Sequence, residues 1–165
     1  MAPVARKQLA LDANVPLDLA SEDPGVIAFH TEFLRRGYEL FVTPTALQEI
    51  HVLSERGEPR EKEIALVALQ NILAWQIHPV NLIPVGHGLT ERFAQTLIDR
   101  KLLPEDECND GMILAETSLL EYPALVTSDH HLRDIDETDL RIAFDDCGLS
   151  YVWVVHPVRL LNSLR

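Results

Sequence analysis

Cysteine is scarce: Cys108 and Cys147 are the only two among 165 residues, and neither has a Cys or His partner at metal-ligand spacing. That pattern argues against a cysteine-ligated zinc site and against a disulfide scaffold. Long apolar runs are also missing. The longest, Ile64 to Leu69, has six residues, against the ~18–20 of a bilayer-spanning helix, so no membrane association is expected. The N-terminus reaches Arg6 and Lys7 before any apolar stretch forms, so no secretory segment is expected and the location implied is cytoplasmic. Basic side chains are outnumbered, with 14 Lys and Arg against 26 Asp and Glu and a net charge of -12. Binding nucleic acid by bulk electrostatics relies on Lys and Arg against the phosphates, so a nucleic-acid role here requires metal ions or a local basic patch. Arg35, Arg36, Arg56, Arg60, Lys62, Arg92, Arg100 and Lys101 are the candidates for such a patch, or simply solvated helix surface.

What is present fits one globular unit over residues 1–165, with 47% hydrophobic residues and a length close to the usual domain size. Half of the acids, 13 of 26, fall between residues 105 and 146. Such a run is ordinarily a solvated face, unless several of its carboxylates converge on a cation.

Strand-like segments alternate with helical ones. Gln8–Leu11, Glu39–Thr43, Val80–Val85, Ala124–Thr127 and Tyr151–Val155 read as strands, and a short further strand is expected near Arg141–Phe144. Helices are expected over Val26–Arg36, from Pro44, over Glu58–Trp75, over Thr90–Leu102, from Pro104 to about Glu121, and from Pro157. Ala13–Pro16 reads as a loop. Trp75 and Trp153, in a helix and a strand pattern, are expected in the core. Alternation of this kind predicts an α/β fold, a three-layer α/β/α sandwich around a parallel sheet.

In such sheets ligands collect at the carboxyl ends of strands, where Asp12 and Asp129 fall. Either alone is equally a turn residue or a helix N-cap. Asp110 opens one helix and Glu49 lies inside another. Four carboxylates brought together repel unless a cation neutralises them, and oxygen ligands suit Mg²⁺ or Mn²⁺. Such a site is suited to phosphodiester hydrolysis.

The order of these motifs resembles the PIN domain family. Leu11-Asp-Ala-Asn-Val15 is similar to its opening strand and Asp-x-Asn, Thr43-Pro-Thr-Ala-Leu-Gln-Glu49-Ile to its second acidic position, Asn109-Asp-Gly-Met-Ile-Leu-Ala115 to its third, and Leu125-Val-Thr-Ser-Asp129 to its fourth. Val155-His-Pro-Val-Arg-Leu-Leu161 resembles the closing strand, proline and helix of a bacterial branch that includes toxins. The resemblance implies a Mg²⁺- or Mn²⁺-dependent ribonuclease whose metal site is Asp12, Glu49, Asp110 and Asp129, with Asn14 and Thr127 or Ser128 shaping its polar surroundings. It also implies an RNA substrate, an antitoxin partner that masks the site with a basic side chain, and a homodimer.

Where related sequences often carry a further acid, two places after the fourth aspartate, this chain has His131; Asp134 could compensate from the next turn. Glu107, three residues before Asp110, is an additional acidic neighbour or a solvated first-turn residue. His130 and His131 read as surface residues or as a general base. Two rival functions stand beside the nuclease. A phosphatase of the haloacid dehalogenase type needs Asp-x-Asp after the first strand, whereas this chain has Asp12-Ala-Asn14. A catalytically inactive PIN-like module binding RNA or a partner protein is separated from the enzyme by metal-dependent cleavage.

Overall fold

In a computed structural model, residues 7–82 and 86–164 are described. Five strands, β1 (Gln8–Leu11), β2 (Glu39–Val42), β3 (Ile77–Pro79), β4 (Ala124–Val126) and β5 (Trp153–Val155), form one parallel sheet in the order β3-β2-β1-β4-β5. Leu9, Ala10 and Leu11 of the central strand are buried, as are all three residues of β4. Near-continuous burial is what a parallel strand covered on both faces requires.

The flanking helices are α1 (Asn14–Ala20), α2 (Pro24–Arg35), α3 (Pro44–Arg56), α4 (Pro59–Asn71), α5 (Gly86–Asp99), α6 (Cys108–Leu119), α7 (His130–Arg133), α8 (Glu137–Asp146) and α9 (Pro157–Asn162). Pro at the first helical position starts α2, α3, α4 and α9, where its missing N–H costs nothing and its fixed φ is already helical. Helix α2 packs on α9, α3 on α4 and α6, and α5 on α6 and α8. The result is the α/β/α layering expected from the sequence. No helix among the described residues is long and apolar enough to cross a membrane.

Helices α5 and α6 meet at Gly111, where a Cβ would fall 2.7 Å from Ala94 Cα and 2.9 Å from Ala94 Cβ. Overpacking of this kind costs about 1–3 kcal/mol, against a gain of about 1 kcal/mol in helix propensity. Gly111→Ala is therefore expected to lower the melting temperature by several degrees, and calorimetry checks it. Gly111 follows Asp110, so this close approach also fixes where that aspartate enters the site.

Four local expectations are corrected. The third strand lies at Ile77–Pro79 rather than Val80–Val85. As an edge strand it needs one inward residue, the fully buried Ile77, and Gln76, at φ 56°, turns the chain into it. Val80 adds one bond, its N–H donating to the Val42 carbonyl at 3.1 Å, and residues 83–85 of that expectation lie outside the described residues. Arg141–Phe144 is part of α8, because Leu140, Ala143 and Phe144 bury one helical face and Asp136 caps the helix by accepting the Asp139 N–H at 3.0 Å. Ala13–Pro16, expected as a loop, enters α1, whose first turn tolerates Pro16. Trp153 is 61% exposed on the edge strand β5, not in the core, whereas Trp75 is half-buried against the core.

Candidate acidic site at the sheet switch point

Chain order reverses between β1 and β4, and the crevice beyond the carboxyl ends of two such strands is where open parallel sheets bind ligands. Leu11 pairs in register with Val42 and Val126, so Asp12 and Thr127 stand level at this edge. Asp12 is buried. Its Oδ1 accepts the Ala13 N–H at 2.8 Å, and its Oδ2 accepts the Thr127 hydroxyl at 2.7 Å and the Asn14 amide at 3.1 Å. Thr127 Oγ1 in turn accepts from Asn14 Nδ2 at 3.1 Å and from the Asp129 N–H at 3.0 Å. Asn14 Oδ1 accepts the Ser128 N–H at 3.1 Å. The ends of β1 and β4 are thus tied together by one polar network, and that network holds Asp129 where α7 begins.

Asp110, also buried, enters from the first turn of α6. One carboxylate oxygen from each of Asp12, Asp110 and Asp129 lies within 4.8 Å of the other two. Asp110 Oδ2 is buried and has no hydrogen-bond partner. A buried acceptor without a donor is costly, and its carboxyl group sits among other carboxylates. A cation satisfies such an atom, and the oxygen-only donor set fits Mg²⁺ or Mn²⁺.

The three aspartates line a cavity of about 410 Å³ together with Asn14, Glu49, Glu107 and Asn109, and with Leu17, Val52 and Leu53. Glu49, on α3, is hydrogen-bonded to Asn109 but stands outside the close trio. Burial pushes Asp12 up to about 6, against the Thr127 and Ala13 hydrogen bonds that hold it down, while the charge of Asp129 adds to the rise. Burial and then the charge of Asp12 push Glu49 up to about 7. Asp110 is raised furthest, first by burial, then by Asp12, then by contact with the carboxyls of Glu107 and Asp129. All three shifts have the same origin, negative charge crowded into a site shielded from water.

Of the supporting residues, Asn14 and Thr127 touch Asp12 directly and Glu107 lines the cavity. The Ser128 hydroxyl turns away, donating to Asp18 Oδ2 at 3.1 Å. Asp134 is exposed at the end of α7, where its N–H donates to the His130 carbonyl at 2.8 Å. His130 and His131 lie beside Asp129 but are not part of the cavity wall. Among the basic candidates, Arg35 and Arg36 pair with Glu32, Arg60 with Glu63 and Arg100 with Asp146.

Sequence reasoning missed Glu116. It is 1% exposed on α6, and its carboxylate accepts the Thr45 N–H at 3.1 Å and the Thr45 hydroxyl at 2.7 Å. Thr43, at the N-cap position of α3, makes no side-chain cap bond, so Glu116 caps this helix from a neighbouring one. Glu49 stands one turn further along α3. A lone acid within the buried run Ile113-Leu-Ala-Glu-Thr117 was the available signal. Glu116→Ala leaves the Thr45 donors unsatisfied and is expected to cost about 2 kcal/mol; Glu116→Gln, which keeps one acceptor, costs less. Urea unfolding of both variants checks the order.

No family model matches the chain, and no curated protein matches it. Among solved structures it is similar to a chain of VapBC2 from Rickettsia felis bound to a DNA fragment from their promoter, at 13% identity over 90% of this chain and 98% of that one, with a TM-score of 0.62. It is similar also to a chain of FitAB bound to an IR36 DNA fragment, at 16% identity over 91% of this chain and 95% of that one, with a TM-score of 0.56. The chain has the PIN-like α/β/α fold that its motifs resemble.

Proposed function

We propose that this protein is a ribonuclease that hydrolyses RNA phosphodiester bonds with a divalent cation, Mg²⁺ or Mn²⁺, held by Asp12, Asp110 and Asp129, with Glu49 as the fourth acid. The observation that carries this reading is the convergence of Asp12, Asp110 and Asp129 at a switch-point crevice, with one buried oxygen of Asp110, Oδ2, lacking any donor. Bound there, such an ion would lower the pKa of a water and offset negative charge developing on the phosphate. The chain's own residues fix the geometry. Thr127 and Asn14 orient Asp12, the Thr127 hydroxyl sets the start of α7 and hence Asp129, and the Gly111 contact seats Asp110. Glu49 lines the same cavity, hydrogen-bonded to Asn109, and would complete the acidic ligand set or, once ionised beside the cation, accept a proton from a water. Asn14 and Glu107 present polar atoms to the same space, and Leu17, Val52 and Leu53 form an apolar wall.

The similar solved structures are VapBC2 and FitAB, each bound to DNA, which supports a toxin paired with an antitoxin; the motif resemblance adds that the partner would set a basic side chain against these carboxylates. Incubating the protein with a panel of labelled single-stranded RNAs tests the activity. Cleavage with Mn²⁺ or Mg²⁺ and none with EDTA is the expected result. Absence of cleavage across the panel by folded protein would point instead to a PIN-like module that binds without turnover.

A further inference from the structure

Helix α7 is a single turn, and Asp129 caps it by accepting the His131 N–H at 2.9 Å. The Asp129 N–H is itself anchored to Thr127 Oγ1 at 3.0 Å. Successive side chains on a helix diverge by about 100°, yet the His130 and His131 rings lie with centroids 4.1 Å apart and planes inclined by 35°. A ring nitrogen from each and a carboxylate oxygen of Asp129 all lie within 4.8 Å of one another. His130 is exposed and His131 half-buried, which leaves an open side for water. Two imidazoles and one carboxylate are a recurring three-ligand set for zinc, completed by water. Imidazole favours Zn²⁺ and its neighbours over Mg²⁺, so this donor set differs in kind from the all-oxygen trio beside it. Ligand atoms around a tetrahedral zinc lie about 3.4 Å apart, a closure within reach of modest side-chain rotation on a fixed backbone turn.

We propose that Asp129, His130 and His131 form a second metal site, selective for a late first-row transition ion such as Zn²⁺, and that filling it draws Asp129 away from Asp12 and Asp110. The site stands independently of the nuclease reading, because binding alone measures it. Metal-free protein is titrated with Zn²⁺ by calorimetry, and the histidine ring nitrogens are followed by NMR. The expected result is one Zn²⁺ bound per chain with selective shifts of the His130 and His131 ring nitrogens, and at least about tenfold weaker Zn²⁺ binding in the His130→Ala/His131→Ala variant. Mn²⁺ affinity in that variant is expected to stay within about twofold of wild type, since the oxygen trio is intact. In wild type, Zn²⁺ is expected to weaken Mn²⁺ binding through the shared Asp129. Zn²⁺ binding that leaves both ring systems unshifted, equal Zn²⁺ affinity in the double variant, or no Zn²⁺ binding by folded protein would each overturn the proposal. The NMR readout on wild type holds even if the double variant folds poorly.

Discussion

Asp12→Asn is expected to lower metal-dependent RNA cleavage by at least about 10³-fold while leaving the protein folded. Changes to groups that merely orient metal ligands already cost about 10–100-fold; removing a ligand's charge takes more, because the ion's hold and its effect on a bound water both depend on it. The fold is spared for local reasons. Asparagine has nearly the same shape, and its carbonyl can still accept the Ala13 N–H. Its amide, placed where Oδ2 was, no longer accepts the Thr127 hydroxyl or the Asn14 amide, but Thr127 Oγ1 keeps the N–H bonds it accepts from Asn14 and Asp129. The variant loses one acceptor but also sheds a buried negative charge beside Asp110 and Asp129, so stability without metal is expected within about 1 kcal/mol of wild type. Metal-dependent cleavage at wild-type rate in this variant would remove the site from its assigned place.

The second large effect is a fall in metal-free stability as pH rises. Asp12 is raised from 3.8 to about 6 and Glu49 from 4.5 to about 7, so folding favours their protonated forms. Their stabilising contribution is fully present below the unfolded values, near pH 4, and is lost as pH rises through the folded ones. For Asp12 alone the shift corresponds to about 3 kcal/mol, a large share of the roughly 5–15 kcal/mol that holds a domain folded. Glu32 acts oppositely, lowered to about 2 by the Arg35 and Arg36 hydrogen bonds, but its contribution is lost only as pH falls from 4.5 toward 2, outside this window. Thermal unfolding of metal-free protein is therefore expected to show a declining melting temperature between pH 4.5 and 7.5, with a shallower decline in Asp12→Asn. Mn²⁺ should restore stability at pH 7.5 and have little effect at pH 4.5, because protonated carboxyls do not bind it. A melting temperature that is flat or rises across this window in wild type would contradict the crowding of these carboxylates.

Much of this was legible in the chain. Strands β1 and β4 are buried on both faces and read as short apolar runs, β2 is covered more on one face than on the other, and each ends at a polar residue that the parallel register brings to one edge. Prolines marked the helix starts at Pro44 and Pro157 because the first turn alone tolerates them. Harder to read were elements whose burial is partial or whose partners are distant. The edge strand β3 commits only Ile77 to the core, which gives no alternation to detect. Helix α8 carries its signal in Asp136, Leu140, Ala143 and Phe144, a helical spacing obscured by the surrounding carboxylates. Trp153 reads as a core residue until its strand is known to be an edge. Glu116 and Asp18 act on residues far away in sequence, Thr45 and Ser128, so local patterning did not assign their roles. The approach of Asp110 to Asp12 and Asp129 depends on α6 docking at Gly111, a contact between helices that no single motif encodes.

The central claim is that Asp12, Asp110 and Asp129 hold a divalent cation, and anomalous diffraction from crystals grown with Mn²⁺ tests it most directly. The account predicts a manganese peak within coordination distance of carboxylate oxygens of all three aspartates, including the otherwise donorless Asp110 Oδ2, and its disappearance in Asp12→Asn crystals. Ordered carboxylates with no peak among them, or manganese bound only elsewhere on the molecule, would contradict it.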